Sequence, residues 1–295
     1  MMQISRCLSF SFAVFLCAEL FAQEDSLLHR RRSRVLCATS LATAGASYAA
    51  LNELWYKNYA RTSLHSFNDN SEWMQVDKIG HAFTSYTLTR YINDLHAWAN
   101  PSKKQYWKSA STSMLYMTTI EILDGRSNAW GFSWGDMIAN ASGIFTHAVQ
   151  HFYWNEQRIV LKFSYSPSSF AYTNEEVLGR NFQQRILKDY NGQTYWASYN
   201  ISSSLASGAA FPKWMNIAIG YGVDGLTSAK IDVNSVNNFQ RTRSYYLSFD
   251  ADLNRVRCKK IFVKRLMRCL SFIKLPSPTL EIQNDGQMKF HFLFF

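Results

Sequence analysis

Apolar positions recur at helical spacing through the first half of the chain and alternate singly through much of the second. The first pattern predicts four helices, at Val35–Tyr56, Val76–Leu95, Lys104–Leu123 and Trp134–Tyr153. Ala, Ser, Thr and Gly dominate the first of these, and such small residues let helices approach closely. Pro101 fits the break between the second and third, and Asn128 to Gly131 supply the turn before the fourth. Beyond residue 155 strands are predicted at Ile159–Tyr165, Gln193–Tyr199, Met215–Tyr221, Tyr245–Leu253, Thr279–Ile282 and Met288–Phe294. An Asn191-Gly192 turn signal precedes the second strand. Among the strands, Arg255–Lys274 has the period of an amphipathic helix, with Ile261, Phe262, Leu266, Leu270 and Ile273 on its apolar side. Its basic opposite face fits an interfacial membrane helix, and equally a surface helix packed on its own domain. The expected class is α+β: an N-terminal bundle of four helices over residues 35–155, then a β-containing extension over 156–295 with one basic amphipathic helix.

Composition narrows the setting. Of 295 residues 47% are hydrophobic and 18% charged, so a sizeable core is available and wholesale disorder is excluded. Aromatics reach 16%, a density that suits a large core or a chain at a membrane–water boundary. The mean hydropathy of −0.21 argues against a protein built mainly of lipid-spanning helices. Helices two and four also carry charged and polar residues, which cost about 2.5–3.5 kcal/mol each at mid-bilayer when charged.

The formal net charge of +10 is unevenly spread. Arg30, Arg31, Arg32 and Arg34 form one knot, and Arg255 to Lys274 holds eight basic residues and no acidic one. Such runs favour an anionic surface. No nucleic-acid-binding motif accompanies them, so an anionic membrane is the expected partner and nucleic acid is not. Residues 1–22 read as a signal peptide, with Arg6, an apolar stretch from Leu8 to Ala18 and a cleavage site at Leu20-Phe21-Ala22. Leu16 before Cys17 makes a poor lipidation site. Cleavage leaves Cys37, Cys258 and Cys269, too few for a disulfide framework. With Cys258 and Cys269 on one helix, they would stand roughly 16 Å apart along its axis. The terminal run Lys289 to Phe295 resembles the last strand of an outer-membrane barrel, but too few long alternating segments precede it to close eight strands.

Three clusters place costly side chains on single helical faces. Asp77 and His81 lie one turn apart, with Lys78 beside them. Glu121 and Asp124 end the third helix and are followed by Arg126. Asp136, Asn140, Gly143 and His147 form a stripe on the fourth, where apolar residues would be normal. Each has a structural explanation: Ser133 can cap the fourth helix above Asp136, Asp77 can sit at a helix start, and Arg126 can neutralise Asp124. Converging from three helices, these residues could bind a divalent cation. Alternatively His81 could work with Glu121 or Asp136 as a general acid–base pair, or the whole could be a buried charge network.

Three segments carry a resemblance. They are Asp77-Lys78-Ile79-Gly80-His81, then Glu121-Ile122-Leu123-Asp124-Gly125-Arg126, then Gly131 to Gly143 with Asp136 and Asn140 inside it. Over residues 75–145 the chain resembles the YfiM-like family of predicted periplasmic lipoproteins, a domain of unknown function. It is more distantly similar to VanZ-like membrane proteins, which share the order DK..H, E, D...N..G. The resemblance implies a helical core and an exported protein of the bacterial cell envelope, periplasmic or membrane-associated. It implies no activity or cofactor, and the family's lipid-accepting cysteine has no good counterpart here. The expectation is a membrane-associated envelope protein acting on a lipid or cell-wall substrate through His81, Glu121, Asp136 and Asp77. The competing class is a non-enzymatic envelope scaffold.

Overall fold

A computed structural model describes residues 27–100, 105–205, 211–229 and 239–295. The signal-peptide segment 1–22, Pro101 and Lys104 lie outside the described residues. The fold is α+β, as the two periodicities predict. Its helices are α1 (Leu27–Leu51), α2 (Val76–Ala99), α3 (Gln105–Asp124), α4 (Trp134–Tyr153), the short α5 (Glu175–Leu178) and α6 (Phe182–Lys188), and α7 (Ile261–Leu270). Strands β1 (Ile159–Tyr165), β2 (Gln193–Asn200), β3 (Met215–Asp224), β4 (Thr242–Ala251), β5 (Ser277–Gln283) and β6 (Met288–Phe294) overlap the six predicted segments, with β4 starting and ending before the predicted Tyr245–Leu253. The chain divides into two compact units: one runs to Asp69 and resumes over Thr84–His147, and the other comprises Asn70–Phe83 and Ala148–Phe295.

In the helical unit, small residues of α1 allow a close seam. Cys37 and Ala44, with Leu41 and Tyr48, pack against Leu115 and Tyr116 of α3. The rings of Tyr48 and Tyr116 stack at 5.1 Å, and Ser47 Oγ lies 2.8 Å from the Tyr116 hydroxyl. An extended segment over 61–67 follows, bonded by Thr62 N–H to Arg126 O, His65 N–H to Gly125 O and Phe67 N–H to Phe132 O. That segment explains Gly131, since a Cβ there would lie 2.3 Å from Phe67 Cβ. The buried side of α3 is largely polar, with Ser109, Thr112, Ser113 and Glu121. On α4 the buried positions include Asp136, Asn140 and His147, while Trp134, Ile138 and Phe145 are exposed.

The second unit is a meander of antiparallel strands in the order β1-β2-β3-β4-β5-β6. Directly paired residues share a face, so each register row can be read across the sheet. One row runs Leu161–Ala197–Ile219–Leu247–Leu280–Phe290. A neighbouring row, on the opposite face, runs Lys162–Trp196–Gly220–Tyr246–Glu281–Lys289. The second face is turned inward. Strands β1 and β4 are three apart, roughly 14 Å in a flat sheet, yet Lys162 Nζ reaches Asp250 Oδ2 at 2.6 Å with both side chains fully buried. The sheet is therefore curled around this inner face. At one edge Phe163 N–H donates to Phe272 O and Lys274 N–H to Phe163 O, tying the segment after α7 to β1.

A left-handed turn precedes α2. Trp73, Met74 and Gln75 all have positive φ, at 49°, 50° and 66°. Each non-glycine residue there costs about 1–2 kcal/mol. Packing offsets it: Met74 and Val76 join Tyr190, Val223 and Leu226 in a hydrophobic cluster flanked by Trp73. Tyr221 Oη donates to Met74 O at 2.6 Å, and Arg243 donates to Gln75 Oε1 at 2.9 Å.

The amphipathic helix is shorter than the predicted Arg255–Lys274 span. Before it, Asp252 accepts from Asn254 N–H and from Arg255 Nε, holding a turn. Lys260 is extended, at ψ 116°, so the helix begins at Ile261. Cys258 thus lies outside the helix that carries Cys269, correcting the expectation that they share one. All three described cysteines are free thiols.

Candidate functional site

The first motif opens α2. Val76 is buried and anchors the helix, and Asp77 stands in its first turn, where a carboxylate meets the positive end of the helix dipole. Asp77 Oδ1 accepts from the Tyr190 hydroxyl at 2.7 Å and lies 4.0 Å from His81 Nε2. Its other oxygen accepts from Lys78 Nζ at 3.3 Å. Asp77, Lys78 and His81 are all partly exposed. Gly80 belongs to the same constellation, because a Cβ there would lie 2.8 Å from the Tyr195 hydroxyl. Burial, reinforced by the Asp77 carboxylate, pushes that tyrosine well above its usual range. A carboxylate one turn from an imidazole suits proton transfer. The same two groups offer an oxygen and a nitrogen to a divalent cation.

Motifs two and three meet at the start of α4. Ser133 is the N-cap: its Oγ accepts from Asp136 N–H at 3.1 Å and donates to Asp69 Oδ1 at 2.6 Å. Its backbone N–H donates to Glu121 Oε2 at 3.4 Å. Glu121 takes the place that the third helical residue fills in a reciprocal capping box. Glu121 is 1% exposed and Asp136 4%, so both carboxylates are withdrawn from bulk water.

Asp124 is engaged separately. It accepts from the Tyr56 hydroxyl at 2.9 Å. Burial and the Asp124 charge hold that tyrosine far above its ordinary range. Arg126 contributes through its backbone, its carbonyl accepting from Thr62 N–H. Asn140 is fully buried on α4. His147, one stripe position further, stacks on Tyr106 at 5.6 Å with its Nδ1 3.2 Å from the tyrosine hydroxyl.

Within one unit Asp77, Lys78 and His81 lie together, and within the other Glu121 and the Asp136 N–H both engage Ser133. Three partners escaped sequence reasoning: Asp69, Tyr56 and Tyr190. Tyr190 lies 113 residues from Asp77, and no spacing rule connects them. Asp69 sits in an irregular segment where no periodicity marks it.

Residues 66–152 match a family described as predicted periplasmic lipoprotein (DUF2279). The matched span contains all three polar motifs, and the sheet lies wholly beyond it. It agrees with a location in the cell envelope, periplasmic or membrane-associated. No curated protein and no solved structure matches the chain. Among the described residues, no helix is long and apolar enough to cross a membrane.

Proposed function

We propose that this is an envelope protein that docks on an anionic membrane surface through α7, within a YfiM-like family whose polar motifs follow the VanZ-like order. One observation carries the reading. Helix α7 is strongly amphipathic, yet none of its residues is buried. A surface helix packed on its own domain would hide Ile261, Phe262, Leu266 and Leu270, and all four are exposed. Lys264, Arg265 and Arg268 share the helix with them, and Lys259 and Lys260 lead into it. An apolar stripe backed by cations, uncovered among the described residues, matches the interfacial regime. On that surface the partly exposed Asp77–His81 pair is the portion of the motif set accessible to a lipid or cell-wall substrate.

The scaffold reading keeps one specific support. Glu121 and Asp136 both engage the capped entry of α4, a structural task that requires no chemistry.

Charge reversal of Lys259, Lys260, Lys264 and Arg265 to Glu tests docking. Each basic residue near an anionic surface contributes about 1 kcal/mol, so partition onto phosphatidylglycerol-containing vesicles should fall on the order of a hundredfold or more. Unchanged partition would overturn the docking reading.

A further inference from the structure

The sheet has its polarity reversed. In a half-buried antiparallel sheet the apolar positions face the core and the polar ones face water. Here the curled inner face carries the charges. Lys162 and Asp250 are paired within it, Ser198 Oγ donates to Asp250 at 2.6 Å, and Asn216 Nδ2 donates to Ser198 at 2.9 Å. Further along, Ser244 donates to Glu281 at 2.7 Å, and His291 Nε2 lies 2.7 Å from that carboxylate. Lys274 sits beneath the Trp196 ring at 4.9 Å.

The outer face is apolar over all six strands. Toward β1 and β2 it is partly covered from within the same unit, where Phe83 packs on Phe163, Tyr195 and Phe272. Over β3 to β6 it is open among the described residues, except where Tyr221, Val223 and Arg243 meet the segment before α2. Exposure there runs from 45% at Leu247 to 82% at Phe292, with Ile219, Phe249, Phe290 and Met288 between them. The residues alternating outward on β3–β6 include no acidic side chain. A contiguous apolar surface of this kind marks an interaction site.

We propose that the outer face of β3–β6 beds into the acyl region of a lipid leaflet, so that α7 and the sheet form one membrane-binding surface. This rests on the docking reading above and extends it from a helix to a sheet. Apolar-out, polar-in alternation is the pattern of lipid-facing strands. Among the described residues the sheet has six strands in the order β1 to β6. The basic helix supplies the complementary charge for anionic headgroups. It is joined to the sheet directly, since the chain leaves α7, bonds to β1 at Phe272 and Lys274, and enters β5.

The test uses the full chain with vesicles of phosphatidylethanolamine and phosphatidylglycerol, sedimented and then washed in high salt. Salt screens the basic side of α7, so what survives the wash reports apolar insertion, to which the sheet substitutions assign the sheet's share. Leu247→Asp with Phe249→Asp should lower salt-resistant retention by about a hundredfold, roughly tenfold or more for each side chain no longer buried. Phe249→Leu, which keeps the face apolar, should leave retention near wild type and shows that the loss is not misfolding. The α7 charge reversal should leave the salt-resistant fraction in place, which separates failure of the helix from failure of the sheet. Salt-resistant retention unchanged in the double Asp variant would overturn the proposal. So would a stable dimer, observed by ultracentrifugation and dissociated by the double Asp variant, that persists on vesicles.

Discussion

The helical unit and the sheet unit both bury polar side chains, but they partner them by different means. In the helical unit many partners are local and belong to helix architecture, with a few long-range bonds such as Ser133 to Asp69 and Tyr56 to Asp124 added to them. Ser133 caps α4, Thr89 bonds back to Ser85 O, and Ser113 to Ser109 O. In the sheet unit the partners come from distant strands: Lys162 meets Asp250 and Ser198 meets Asp250. Local partners form as the helix forms. Strand-to-strand partners exist only once the sheet has curled, so their desolvation is offset late and all at once. The difference teaches that one inventory of buried polar groups can serve either local stop signals or global closure. The energetic stakes should differ accordingly.

The largest effect is expected at the sheet's buried ion pair. Asp250→Ala would strand the Lys162 ammonium without a counter-charge, and breaking a buried pair from one side costs about 3–5 kcal/mol. Asp250→Asn, which can still accept a hydrogen bond, should cost less. Urea denaturation of both variants checks the order. If Asp250→Ala proved no worse than an average surface substitution, the inner face would be wet, and the contrast between the two units would collapse.

Next is a pH effect confined to the sheet. Burial lowers the Lys274 ammonium from lysine's ordinary 10.5 to about 8, with Asp250 partly opposing the shift. Between those values the unfolded chain binds a proton that the folded chain has released. Stability therefore rises with pH across that window and is flat below it as far as this group is concerned. Thermal denaturation should show the rise, and Lys274→Met should abolish it. A rise that survives the substitution would assign the titration to another group.

Much of this contrast was visible in the sequence, and unevenly so. All six strands could be placed because β-branched and aromatic residues alternate within them, as in Met215–Tyr221 and Met288–Phe294. The α4 limits were legible because Ser133 and Asp136 form a capping signature just ahead of a periodic run. The same alternation hid the polarity of the sheet. It gives two faces without saying which is inner, and the choice depends on a curl that joins residues 88 apart, Lys162 and Asp250. Helix α7 was over-extended for a related reason: the amphipathic period continues back to Arg255, but Asp252 captures the preceding turn. For the candidate site, the carboxylates and histidine were found by their helical spacing. Their tyrosine and aspartate partners, Tyr190, Tyr56 and Asp69, were not, since each is supplied by a segment outside the motif.

The smallest effect is expected where the polar groups are local. Ser133→Ala removes the acceptor for Asp136 N–H and the donor to Asp69, and loss of such a cap costs about 0.5–2 kcal/mol. Ser133→Thr should recover most of it. Because Ser133 N–H, with Glu121 as acceptor, is untouched by either change, the loss measures the hydroxyl's two bonds, to Asp136 N–H and to Asp69. Chemical denaturation set beside the Asp250 series then reads the two strategies on one scale. A cost at Ser133 as large as that at Asp250 would mean that the α4 entry is a closed network like the sheet interior. Glu121 and Asp136 would then have to be counted as members of that network, not as helix-end charges beside a cap.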